Sequence, residues 1–106
     1  MKTGTLSDLH LHDAVLHRVI ESTVDDSLSF EVDYPVDWER GVFEPRVIIF
    51  TDVLGYEVHE GPFTGAPTLL EWTLQGHENG RDVIRIETNA GYRQFACKSV
   101  RLTHAT

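Results

Sequence analysis

The sequence predicts a mainly β protein: a small antiparallel β-sandwich or strongly curved sheet of about six to seven strands, with little helix, in one domain over residues 1–106. Three observations carry this. Apolar and polar residues alternate with period two over residues 28–34 and 70–74, which puts one row of side chains on one face of an extended chain. Residues 46–54 are apolar on both parities, the pattern of a strand covered on both faces. Short clusters rich in Gly, Pro, Asn and Asp separate the segments at turn spacing.

Taken in order, residues 1–4 and 105–106 read as frayed ends. In residues 5–23, Ser7 is placed to cap a helix, and Leu11, Val15 and Val19 recur every four residues. Val15, Val19 and Ile20 are β-branched, however, and stiff at χ1, which suits a strand. The expectation is a helical turn or loop through Asp13 and a strand over 14–23. Residues 24–27 form a turn, since Asp side chains bond back to the local backbone. Leu28, Phe30, Val32 and Tyr34 then make a half-buried strand that Pro35 ends. Residues 35–45 read as a loop between two prolines, which cannot donate to a β-ladder.

The strand over 46–54 belongs in the middle of the core, with Gly55 ending or bulging it and 56–59 continuing after a bend. Residues 61–67 carry two Gly and two Pro and form a second loop. A strand through Leu70, Trp72 and Leu74 and a turn over 76–80 follow. Residues 83–88 and 92–97 are the next two strands, with Asn89-Ala90-Gly91 as a three-residue hairpin loop. That register pairs Glu87 with Arg93 and Ile84 with Ala96. Beyond Cys97 the apolar parity switches to Val100 and Leu102, so a β-bulge is expected at Lys98 or Ser99.

Hydrophobic residues are 41% and charged residues 25%, enough apolar material for a core without disulfide staples. Cys97 is the one cysteine, so no disulfide closes within the chain. This usage fits a reducing, cytoplasmic setting. No signal-peptide pattern opens the sequence, and no apolar run is long enough to span a bilayer. Net charge is −8, from 17 acids against 9 bases. Such a surface disfavours nucleic acid and anionic membrane as partners and suits a basic protein, or simply solubility.

Two constellations are candidate sites. Asp37, Trp38, Glu39 and Phe43 set aromatics beside acids in the proline-bracketed loop, a composition used at interfaces to basic partners. The plainer reading is that Trp38 folds back as a lid over the core. His10, His12, Asp13 and His17 are the dense set of potential ligands for a divalent cation, which would activate water in a metal-dependent hydrolase. Neither a strand nor a helix gathers all four on one face, and capping or surface roles are the plainer reading. The dipeptides His59-Glu60 and His77-Glu78 read as turn residues. Cys97 lacks a catalytic signature and reads as a buried small hydrophobe. Arg81, Arg85, Arg93, Lys98 and Arg101 concentrate positive charge late in the chain, with Glu71 and Glu87 as expected partners. No cofactor motif is present: neither Gly-x-Gly-x-x-Gly, nor a P-loop, nor Gly-x-Ser-x-Gly.

The order of elements is itself informative. Leu11-His12-Asp13-Ala14 precedes a strand, a turn and the alternating run 28–34. A Trp-bearing loop, the 46–53 strand and the terminal Cys97-Lys98-Ser99-Val100 follow. Over most of its length the chain resembles the small bacterial proteins of unknown function that include immunity-protein-like families of toxin–antitoxin neighbourhoods. His12-Asp13-Ala14 is the residue-level match. The resemblance implies a non-enzymatic cytosolic protein that binds a partner, such as a toxin. The His-Glu dipeptides and the Gly-Pro loop depart from the pattern, and no binding residue carries over. The leading expectation is therefore a binding module. A divalent-metal protein or hydrolase is the alternative, and a structural subunit or ligand carrier the remainder. Oligomeric state is left open.

Overall fold

The computed structural model describes residues 3–4 and 11–104. Among these there is no helix, and nine strands follow one another: β1 Thr3–Gly4, β2 Val15–Ser22, β3 Ser27–Asp37, β4 Val42–Thr51, β5 Leu54–Glu60, β6 Leu69–Glu78, β7 Arg81–Thr88, β8 Gly91–Cys97 and β9 Ser99–His104. They form two antiparallel sheets, one ordered β1-β9-β4-β3-β2 and the other β5-β8-β7-β6, so the expected sandwich is the observed architecture. No helix among the described residues is long and apolar enough to cross a membrane. Residues 1–2, 5–10 and 105–106, with Ser7 and His10, lie outside the described residues.

The sheets close on one apolar cluster. Leu28, Phe30, Val32 and Tyr34 of β3 and Ile48 and Phe50 of β4 face Ile84 and Ile86 of β7 and Phe95 and Cys97 of β8. At the centre Phe30 and Phe50 from one sheet meet Phe95 from the other, at 5.3, 6.3 and 4.7 Å between centroids and all edge-to-face. That arrangement matches ring edges to ring faces and adds to the burial of three large side chains.

Two strands change sheets at a shared corner. β4 runs into β5 through Asp52, which sits at φ 51°, and β8 runs into β9 through Lys98. The Lys98 N–H donates to Thr51 O at 2.9 Å, and the Thr51 and Ser99 hydroxyls bond to each other. The parity switch after Cys97 is therefore a change of sheet, not the expected bulge within one strand. The opposite corner is closed where Leu69 N–H donates to Ala14 O at 2.7 Å and Leu16 N–H to Pro67 O at 2.8 Å.

Other expectations are corrected. β3 does not end at Pro35, and residues 35–45 are not a loop. Pro35 pairs with Phe43 and Pro45 with Asp33 inside a β3–β4 ribbon. Among the described residues β2 pairs with β3 no further than Asp33, and β9 with β4 as far as Arg46. Pro35 therefore sits where β3 has one neighbour, and its missing N–H has an unpaired side to face. The turn over 76–80 shortens to Asn79-Gly80, both at positive φ (51° and 77°), the two-residue hairpin that Asn-Gly favours. Between β7 and β8 the loop is two residues, and the register pairs Thr88 with Gly91, Ile86 with Arg93 and Ile84 with Phe95. That one-residue difference turns Arg93 to the core side and Tyr92 outward. Gly91 is required there because a Cβ would overlap the His59 carbonyl oxygen.

Sheet edges carry irregularities. β2 slips register at residues 16–18, β5 at 54–57 and β6 at 69–71 and again at 74–76. Such bulges twist an edge away from pairing with another chain.

Candidate binding surface

The densest run of exposed large hydrophobics among the described residues is at the tip of the β3–β4 ribbon. Four large hydrophobics within eight residues are exposed there, Val36, Trp38, Val42 and Phe43, with Trp38 at 51%. The tip is a tight turn. Gly41 takes φ 68° and donates its N–H to Trp38 O at 3.1 Å, and Arg40 N–H donates to Asp37 Oδ1 at 3.2 Å. Glycine carries the left-handed position without a Cβ penalty. A bulge between Pro35 and Asp37 inserts Val36 and separates it from the regular alternation.

The structure joins the two constellations singled out from sequence. Trp38 Nε1–H donates to Asp13 Oδ2 at 3.4 Å, and the same oxygen lies 3.1 Å from His12 Nδ1. Asp13 holds φ 73° in a turn whose own N–H is fixed by Leu69 O at 2.8 Å. The Trp38 side chain is thus braced at its polar edge while half its surface stays in solvent, so it is not a lid over the core. Asp37 is half-buried and 3.6 Å from Arg40; Glu39 and Phe43 are exposed. Asp13, Asp33, Asp37, Glu39 and Glu44 place five carboxylates on the ribbon, its base and its brace, against the guanidiniums of Arg40 and Arg46. The latter guanidinium is already bonded to Glu44 at 2.9 Å and to Pro45 O at 2.8 Å. The surface is acidic with an apolar centre.

The proposed cation ligands do not converge. His17 lies on β2 and bonds Asp33 Oδ2 at 2.8 Å, while His12 stays with Asp13; His10 is outside the described residues. Among the described residues no three His, Cys, Asp or Glu side chains are grouped to hold a metal ion. His59 and His77 sit on β5 and β6, opposite edges of one sheet, bonded to Glu57 and Asp82, each at 2.8 Å. Cys97 is buried and its thiol is pushed up to about 11 by burial, with Asp82 adding to the shift.

Arg81, Arg85 and Arg93 find other partners than Glu71 and Glu87. Arg93 makes a two-pronged bond to Glu60, at 2.7 and 2.8 Å, and donates to Tyr56 OH at 2.8 Å. Thr88 Oγ1 donates to the same Glu60 carboxylate at 3.1 Å. The Arg93 guanidinium holds the Glu60 carboxyl below its ordinary range. Arg85 lies 3.9 Å from the Tyr92 ring centroid, and His59 stacks on that ring at 4.7 Å. Arg81 donates to Asp52 O at 2.7 Å and borders a shallow groove of about 230 Å³ with Leu54, Glu78 and Ala96.

Sequence reasoning missed Val36, Val42 and the Asp13 brace. The signal for the first two was Gly41, four residues after Asp37, which marks a hairpin rather than a long loop. Nothing local announces the brace, because residues 13 and 38 meet only through the fold.

No family model matches the chain, and no curated protein matches it. Among solved structures, an uncharacterized protein from Neisseria gonorrhoeae is similar, with a TM-score of 0.53 at 11% identity, over 88% of this chain and 92% of that one. At that identity the likeness shows a shared fold.

Proposed function

We propose that the protein is a non-enzymatic binding module of the cytosol that recognises a basic protein through the β3–β4 ribbon, in the manner the immunity-like resemblance implies. The observation that carries the reading is the braced ribbon tip, where Val36, Trp38, Val42 and Phe43 are exposed among five carboxylates. Large apolar side chains ringed by charge are what interface centres are built from. A tip fixed by Asp13, Asp37 and Gly41 loses little freedom on binding. The net charge of −8 favours encounter with a cationic surface.

The test is a pull-down with the wild-type chain and a Trp38→Ser/Phe43→Ser variant of matched melting temperature. A basic partner should be recovered by the wild type, lost with the variant, and released progressively by salt. Equal recovery by both chains would remove the ribbon from the account.

A further inference from the structure

The chain has two asparagines, Asn79 and Asn89, and each lies in a tight hairpin loop of the four-stranded sheet. Both are exposed, yet the structure holds them differently. Asn89 Oδ1 accepts from Thr68 N–H at 3.0 Å, and Asn89 N–H donates to Thr68 O at 3.1 Å. The amide that follows, Ala90 N–H, donates to Thr88 Oγ1 at 3.1 Å. Asn79 has no such ties. Among the described residues neither its side chain nor the Gly80 N–H has a hydrogen-bond partner. A Cβ placed on Gly80 would meet nothing within 4 Å. The backbone nitrogen next to the Asn79 amide is therefore bare, and the space around it is open.

We infer that Asn79 is a site of spontaneous deamidation in the folded protein, and that Asn89 is protected from it. The Gly80 nitrogen gives its proton to solvent and attacks Asn79 Cγ. A C–N bond forms there, the Cγ–Nδ2 bond breaks, and ammonia leaves with a proton taken back from solvent. The resulting succinimide adds one water. Opening at Cγ leaves aspartate. Opening at the Asn79 main-chain carbonyl leaves isoaspartate, with the chain running through Cβ and Cγ. Water is the only co-reactant and nothing is oxidised or reduced. Glycine favours ring closure because no Cβ crowds it. Aspartate keeps the turn, since Asp-Gly suits the same two-residue hairpin as Asn-Gly. Isoaspartate adds an atom to the backbone of a loop whose two residues both hold positive φ, at 51° and 77°, and so loosens the Glu78–Arg81 end of the β6–β7 pair. Either product adds a negative charge to a chain already at −8, between Glu78 and the Arg81 that borders the groove.

Prolonged incubation of the full chain in mildly alkaline buffer, folded and in guanidinium chloride, tests this by anion exchange and peptide mass mapping. The folded chain should yield acidic species that map to residue 79. One should elute with the Asn79→Asp variant, and the other should accept a methyl group from isoaspartyl methyltransferase. The folded rate at residue 79 should lie within about threefold of the rate in denaturant, as an exposed turn without protecting bonds requires. Residue 89 should convert at least about tenfold more slowly folded than unfolded, the worth of one hydrogen bond that must first break. Ala90→Gly gives both asparagines the same following residue, and in that folded variant residue 79 should still convert at least tenfold faster than residue 89. If the variant does not fold, the wild-type rates in buffer and denaturant decide alone. A folded chain that stays intact at residue 79 while the denatured sample converts, or a folded Ala90→Gly variant that converts equally at both positions, would overturn the inference.

Discussion

Removing one member of the Arg93–Glu60 pair should destabilise the protein more than removing both. The two side chains are 13% and 12% exposed, inside the sandwich between β5 and β8. Arg93→Met leaves the Glu60 carboxylate with only the Thr88 hydroxyl, and takes away the donor to Tyr56 OH. An uncompensated buried charge of this kind costs about 3–5 kcal/mol. Glu60→Leu strands the guanidinium in the same way, with Tyr56 OH as its remaining contact, and falls in the same range of about 3–5 kcal/mol. The double variant removes both desolvated charges and substitutes apolar volume, which is often close to neutral, so a net loss of about 1–2 kcal/mol is expected. The coupling between the two sites is then several kcal/mol. Urea unfolding at pH 7 followed by far-ultraviolet circular dichroism measures it, provided the denaturant slope is unchanged across the four proteins. Additive losses, with the double variant as unstable as the sum of the singles, would refute the claim that these groups stabilise only as a pair.

Further expectations follow from particular contacts. Arg93 holds the Glu60 carboxyl below its ordinary range, so this contribution is fully present above the unfolded carboxylate pKa and is lost as pH falls through the lower folded value; Glu60→Gln should therefore flatten the acid limb of a melting-temperature profile below about pH 5. Gly91→Ala puts a Cβ onto the His59 carbonyl oxygen from a backbone at φ 153°, and should lower stability by at least about 2 kcal/mol in the same urea assay. Phe95→Ala empties the centre of the aromatic triad and should cost about 3–5 kcal/mol. Cys97 is buried with its thiol pushed up to about 11, so thiol-specific alkylation at pH 8 should be slow in the folded chain and prompt in urea. Zinc or manganese at equimolar amount should leave the melting temperature unchanged; a rise would bring His10, His12, Asp13 and His17 back as ligands.

What the sequence disclosed follows from how local each determinant is. The alternation of Leu28, Phe30, Val32 and Tyr34 is a property of one strand against one core, and all four side chains are buried as that period requires. Turns built by their own residues were equally legible: Asp25 Oδ1 accepts from both the N–H and the hydroxyl of Ser27, two residues on. Pro35 misled because its effect depends on whether a neighbouring strand is present, and that is set by where β2 stops. The β7–β8 register escaped for a similar reason. A Glu87–Arg93 pair looks satisfactory in isolation, but the core needs Phe95 inward and a third strand supplies Glu60. Of the candidate surface, Trp38, Glu39 and Phe43 were visible as aromatics beside acids, whereas the brace from Asp13 depends on a contact 25 residues away in sequence.

The sharpest test of the account is a titration of the 15N-labelled chain with the basic partner recovered by pull-down, read by amide chemical shifts. A recognition ribbon predicts that the largest perturbations fall on residues 36–43, on the Trp38 indole N–H and on the Asp13 turn. Perturbations confined to the four-stranded sheet, with the Trp38 indole signal unmoved at saturation, would contradict it.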